Sequence, residues 1–268
     1  MTLGCNALLG ILATSIVLFL YLRDDSIERF FHMNQELAFI AAHIIISKNR
    51  HSVNNHLICK MSAMGLQFFF LATFAFLALE ALHCYVILTN VTSRGFVTSK
   101  KVSLVIGWGL PAVVTLVTAA IAIQKYEAAW SCWLNIGHLI YLGTFVPLTC
   151  FVALGMILVE SAGMDCAKNY PLTKRRQWRS SRANQLGFTY VILAIMISFA
   201  FGMLAVYYVD VKLYSITFIA NIVAAVAIFA FHALGNAIIQ DFVIQAWKDV
   251  KQFFGSGKIQ CCVYCRRN

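Results

Sequence analysis

Seven apolar blocks fix what this chain can become. They run Leu3–Leu22, Phe30–Ile46, Ile58–Leu88, Val102–Ile123, Ile136–Val159, Leu186–Val209 and Tyr214–Ile239. A helix crosses the roughly 30 Å hydrocarbon layer of a bilayer in about 20 residues. Inside that layer no water can satisfy a backbone amide, so each block has to be helical. The second block is short, and the third is long enough to need tilt or protrusion. A soluble domain of 268 residues could not carry 60% hydrophobic and 12% charged residues with a mean hydropathy of +0.76. The links are short and polar, and no internal repeat or soluble domain interrupts them. The expected fold is an all-α membrane protein: a seven-transmembrane helix bundle over residues 1–239, then a short amphipathic eighth helix and a Cys/Arg-rich tail over residues 240–268.

Lysine and arginine set the orientation. With the N-terminus outside, sixteen of the 21 fall on inner segments and five (Lys48, Arg50, Lys60, Lys125 and Lys212) on outer ones. The N-terminus is therefore expected outside and the C-terminus in the cytoplasm. The net charge of +10 is a topology signal, and nucleic acid is not expected as a partner. The single sequon, Asn90-Val91-Thr92, falls on an inner loop and is expected to stay bare.

Catalytic and cofactor chemistry finds no support. No serine–histidine or paired-carboxylate centre is present, and the seventh block holds no lysine for a Schiff base. His43 and His138 lack spaced metal-ligand partners, so neither a metal nor a cofactor is expected. Glu80 reads as the only acid well inside a span, about two and a half turns from the inner end. A charge there costs roughly 2.5–3.5 kcal/mol even on a mild scale, so it should be protonated or paired. Cys59 and Cys132 both face the outside, where they either pair or remain two buried thiols.

The fourth block is interrupted by GWGLPAVV, Gly107 to Val114. Pro111 has no N–H and crowds the carbonyl of Gly107. Gly107 and Gly109 let another helix approach, and Trp108 offers a rigid packing surface. By itself the stretch is a kinked joint in a tightly packed bundle. It also resembles the fourth-span signature of the secretin and adhesion branches of the G-protein-coupled receptors. Other segments are similar in kind: Ser131-Cys132-Trp133-Leu134 in the outer loop, His32-Met33-Asn34 in span two, and Ser198-Phe199-Ala200-Phe201-Gly202 in span six. Span three carries Glu80-Ala81-Leu82-His83-Cys84-Tyr85, in the order of the adhesion branch. Span seven offers Asn221 and, further on, Phe231-His232-Ala233-Leu234-Gly235-Asn236. Phe199 and Phe76 stand where the family has tryptophans, and Ala224-Ala225 replaces a Gln-Gly pair, which marks a divergent member.

The resemblance implies a plasma-membrane receptor without enzyme activity. It would pass an extracellular or stalk-derived stimulus to a heterotrimeric G protein. It further implies a Cys59–Cys132 disulfide, a polar switch of His32, Glu80, His83 and Tyr85, and an agonist pocket with Trp133, Phe199 and Phe218. Within the switch His32 is the expected partner of Glu80, with Tyr207 and His232 behind it. Lys174, Arg175, Arg176 and Arg179 of the basic inner loop would meet lipid and the G protein. Along Gln240–Phe254 the apolar positions Val243, Trp247, Val250 and Phe254 recur at helical spacing, the pattern of a helix lying on the inner leaflet. Cys261, Cys262 and Cys265 beside Arg266 and Arg267 suit acylation and contact with anionic membrane lipids. Two rivals remain: a signalling-silent adhesion scaffold in the same fold, and a seven-span transporter. The chain starts two residues before its first block, so the expectation is either a module of a longer protein that carries the stalk or a receptor lacking that apparatus.

Overall fold

In the computed structural model, residues 2–21, 26–48, 55–89, 99–126, 132, 142–169, 175–208, 211–233, 244–245 and 247–248 are described. Seven long helices account for nearly all of them. These are α1 (Thr2–Tyr21), α2 (Ile27–Lys48), α3 (His56–Thr89), α4 (Lys100–Ala122, continued by a 3-10 turn at Ile123–Lys125), α5 (Leu142–Asn169), α6 (Arg175–Tyr208) and α7 (Val211–Ile228). Helix α7 ends in a π-helical turn, Phe229–Ala233. There is no strand among the described residues.

Five helices are apolar and long enough to cross a membrane by themselves: His56–Val86, Lys100–Ala122, Leu142–Met164, Leu186–Ala205 and Lys212–His232. Helix α1 is shorter in its apolar part, Cys5–Tyr21, and α2 carries Glu28, Arg29, Glu36 and Lys48. Both nonetheless pack into the bundle, α1 against α2 and α7, and α2 against α3. Helix α6 begins eleven residues before its apolar block, so the basic stretch from Arg175 is helical as well. Of the eighth helix only residues 244–245 and 247–248 are described, all helical, and the tail cysteines lie outside the described residues.

Helix α3 is the axis of the bundle. It packs against α2, α4 and α5, and 67% of its apolar window is buried, against 22% for α4 and for α5. Lipid is as apolar as leucine, so close packing rather than water exclusion has to hold such helices together. The side chains fit that rule: Phe39, Phe70, Phe74, Leu77, Ile195, Phe199 and Ile228 fill the centre. Large apolar residues such as Val17, Ile121, Ile157 and Ile219 point outward.

At GWGLPAVV the helix α4 runs through Pro111 unbroken. Gly107 is buried because the ring of Phe76 on α3 occupies the place its side chain would take; a Cβ there would meet Phe76 Cδ1 at 2.9 Å and two further ring carbons closer still. Gly109 differs, since its Cβ would meet only Val105 Cγ1, at 4.0 Å. Of the two glycines expected to admit a neighbouring helix, only Gly107 does so. Gly107→Ala is therefore expected to lower stability by about 1–3 kcal/mol through overpacking, while Gly109→Ala gains up to about 1 kcal/mol of helix propensity. Thermal unfolding in detergent checks both. The further change Phe76→Leu should return most of the loss at position 107, and no recovery would mean that the ring is not what excludes the methyl group.

Candidate functional site

A cluster of polar residues lies at the end of the bundle where α2 starts and α7 finishes. On α2, His32 and Glu36 are one turn apart, which puts them on one face. Glu80 faces them from α3, Ser15 from α1 and His232 from the π turn that ends α7. His32 Nε2 lies 2.8 Å from Glu80 Oε1. Ser15 Oγ donates to Glu36 Oε1 at 3.1 Å, and His232 Nδ1 lies 3.2 Å from the same oxygen. The two imidazole rings stack, with centroids 3.9 Å apart and planes 2° from parallel. One connected cluster thus joins α1, α2, α3 and the end of α7.

The π turn bears on this geometry. A π turn inserts one residue into the helical repeat, re-aims the side chains beyond it, and is often found at functional sites. Here its fourth residue is His232, which it turns onto His32. The cluster is also incompletely satisfied: among the described residues, Glu36 Oε2, Glu80 Oε2 and His32 Nδ1 are buried without a hydrogen-bond partner.

Glu36 corrects an expectation. Glu80 is not the only acid inside a span, because Glu36 is fully buried in α2. The local signal is an acid four residues after His32 in an apolar block, but the block's average hydropathy hides it. His32 is the partner of Glu80, as anticipated. His232 joins through His32 and Glu36 rather than by bonding Glu80. His83 is buried and packs on Phe31, ring centroids 5.6 Å apart, and Tyr85 is half-buried further along α3. His32, Glu80 and His232 hold potential ligand atoms within 4.8 Å of one another. Sequence spacing does not assemble that grouping, and it offers only His43 and His138 as histidines to weigh for a metal.

The opposite end of the bundle is tied differently. Cys59, at the start of α3, is bonded to Cys132 of the segment between α4 and α5, with the Cα atoms 4.7 Å apart. Further along α3 the Tyr126 hydroxyl donates to Gln67 Oε1. Burial pushes the Tyr126 phenol up to about 12, against a smaller opposing effect of Thr118. Gln67 Nε2 in turn donates to Thr118 Oγ1 at 3.3 Å and to the Gly143 carbonyl at 3.2 Å, so α3, α4 and α5 share one knot. Between the two ends, Trp108 Nε1 donates to Asn34 Oδ1 at 3.1 Å and its ring packs against Phe76, centroids 5.4 Å apart.

Phe199 is buried between Phe70, 4.8 Å away by centroids, and Phe145 at 5.8 Å. Phe218 is half-buried on α7. Trp133, Lys174, Cys261, Cys262 and Cys265 lie outside the described residues. Arg175, Arg176 and Arg179 fall on the first turns of α6, and the structure does not describe their side chains. His43 is buried against Phe39 and Phe70, with Nδ1 2.9 Å from the Phe39 carbonyl.

With this geometry in place the wider kinship is informative. Residues 1–231 match the profile of the 7 transmembrane receptor (Secretin family). The chain belongs to that family. Among relatives, adhesion G-protein coupled receptor D1 of Bos taurus is 26% identical over 244 residues, covering 88% of this chain and 27% of its own length. Adhesion G protein-coupled receptor L4 of Danio rerio is 24% identical over 99% of this chain and 36% of its own length. Adhesion G protein-coupled receptor B3 of Mus musculus is 30% identical over 159 residues, 58% of this chain and 10% of its own length. The chain therefore spans about a quarter to a third of the length of the first two relatives.

Proposed function

We propose that this chain is the membrane module of an adhesion-type G-protein-coupled receptor in the plasma membrane, N-terminus outside, which couples an extracellular or stalk-derived stimulus to a heterotrimeric G protein. The observation that carries the reading is the 2.8 Å contact between His32 and Glu80. It joins α2 to α3 at the inner half, where the last helix also arrives through His232. A polar contact held among several helices in hydrocarbon is a two-state element: satisfied when the helices are closed, lost when they part. The basic start of α6, from Arg175, extends the helix beyond its apolar block and supplies the inner surface on which a G protein would dock. A stalk peptide would enter at the outer end, beside the Cys59–Cys132 bond. Acylation of the tail cysteines would hold the segment after α7 at the inner leaflet.

A signalling-silent scaffold is the second reading, favoured by one observation. Phe199 stands in place of the family's tryptophan and is locked in the aromatic core. Recruitment of each Gα class to the chain in cell membranes decides between them, with and without Glu80→Gln. The substitution keeps the shape but weakens the contact to His32, and basal recruitment of one class should rise several-fold at equal surface expression. If recruitment is absent in both forms, even with candidate stalk peptides added, the receptor reading fails and the scaffold stands.

A further inference from the structure

We propose that the inner polar cluster is a site for one zinc-class divalent cation, held by His32, Glu80 and His232 and supported by Glu36. The first observation is convergence. One ligand atom from each of the three residues lies within 4.8 Å of the others, and two imidazole nitrogens with a carboxylate oxygen are the donor set of an open zinc site that keeps one position for water. Magnesium and calcium demand six or more oxygens, which this site does not offer.

Charge is the second. Two carboxylates meet two imidazoles whose rings stack face to face at 3.9 Å. Two cationic rings in that arrangement repel, so the stack carries at most one positive charge. With both carboxylates ionised the cluster is short of one positive charge, and among the described residues Glu36 Oε2 and Glu80 Oε2 stand buried without a donor. A divalent cation beside two neutral imidazoles balances both carboxylates and displaces the proton shared by His32 and Glu80.

The surroundings fit as well. His232 presents Nδ1 to Glu36 Oε1, which leaves Nε2 for the cation. That is the carboxylate–histidine–metal relay in which the outer carboxylate fixes the ring. The π turn supplies the ring's aim. The His32 and Glu80 side chains keep 15% and 17% of their exposure while Glu36 keeps none, so a cation would enter past the first two. An imidazole lone pair lies in its ring plane, so coordination has to tilt His32 and His232 out of their stack. A bound cation would clamp α2 and α3 to the end of α7. The site stands whether or not the chain recruits a G protein.

The experiment uses the purified full chain in lipid nanodiscs, with Zn2+ for stoichiometry and Co2+ as a spectroscopic probe. One equivalent should bind, and Co2+ should show the absorption of a four-coordinate nitrogen–oxygen site. Glu80→Gln and His232→Asn should each lower affinity about 100-fold or more, and Glu36→Gln roughly 10–100-fold, as for an outer-shell carboxylate. His56→Asn, at the exposed outer end of α3, should change nothing. Absence of stoichiometric metal overturns the proposal. So does binding indifferent to Glu80→Gln and His232→Asn, which would be an adventitious ion on exposed histidines only. If those variants do not fold, judged by monodisperse elution, the unmodified protein decides, since a six-coordinate Co2+ spectrum would overturn the site by itself.

Discussion

Cys59→Ser and Cys132→Ser are each expected to lower stability by about 2–4 kcal/mol, and the double variant by no more than either single one. The bond joins residues 73 apart in sequence. Chain-entropy arguments give a closed loop of that size a stabilisation above about 4 kcal/mol in water. In a bilayer the value falls, because α3 and α4 remain inserted in the unfolded reference state and already limit the loop. What remains is the freedom of the loop around Cys132, which the bond pins to the first turn of α3. Thermal unfolding in detergent reads the loss, and surface expression in cells should fall with it. The equality of single and double variants is the sharper test. If the double variant loses clearly more than either single one, the two sulfurs contribute independently and the shared bond is not the cause. Because Trp133 comes directly after Cys132, loosening this loop should also weaken any response to a stalk peptide.

How much of the fold and the cluster is legible in the sequence depends on where each signal resides. The seven helices can be read from hydropathy because a membrane enforces length and internal hydrogen bonding. The joint at Gly107 is legible as a joint, since glycine beside proline in an apolar run has few other uses. Its counterpart is not, because Phe76 on α3 is 31 residues away and nothing local in either segment points to the other. The His32–Glu80 pair comes from the arrangement of family motifs and not from spacing, and the disulfide likewise needs the motif beside Cys132. Glu36 is lost to averaging: Phe30–Ile46 is apolar as a block, and the acid inside it disappears unless positions are weighed one at a time. His232 ranks only as a minor partner in the sequence, because its aim depends on a π turn that no residue in Phe229–Ala233 announces. The ends of helices, where the charge density rises, are thus where hydropathy is least informative and where this polar cluster lies.

Glu36 supports the last prediction, in which shape and chemistry can be separated. Its Oε1 accepts from Ser15 and lies 3.2 Å from His232 Nδ1, and the side chain has no exposure. Glu36→Leu fills the volume but leaves both partners buried and unmatched, and each orphaned group costs about 1–3 kcal/mol. Glu36→Gln keeps a carbonyl oxygen that can still accept from Ser15 and His232, so it should retain most of the stability. The gap between the two variants, measured by thermal unfolding in the same detergent, should therefore reach several kcal/mol. Adding Ser15→Ala to Glu36→Leu should recover part of the loss, because it removes one of the stranded donors, whereas Ser15→Ala alone should cost about 1 kcal/mol. Equal stability of the leucine and glutamine variants would mean that Glu36 serves only to fill space. Its place at the meeting of α1, α2 and α7 would then be a matter of packing, with no polar bond holding those helices together.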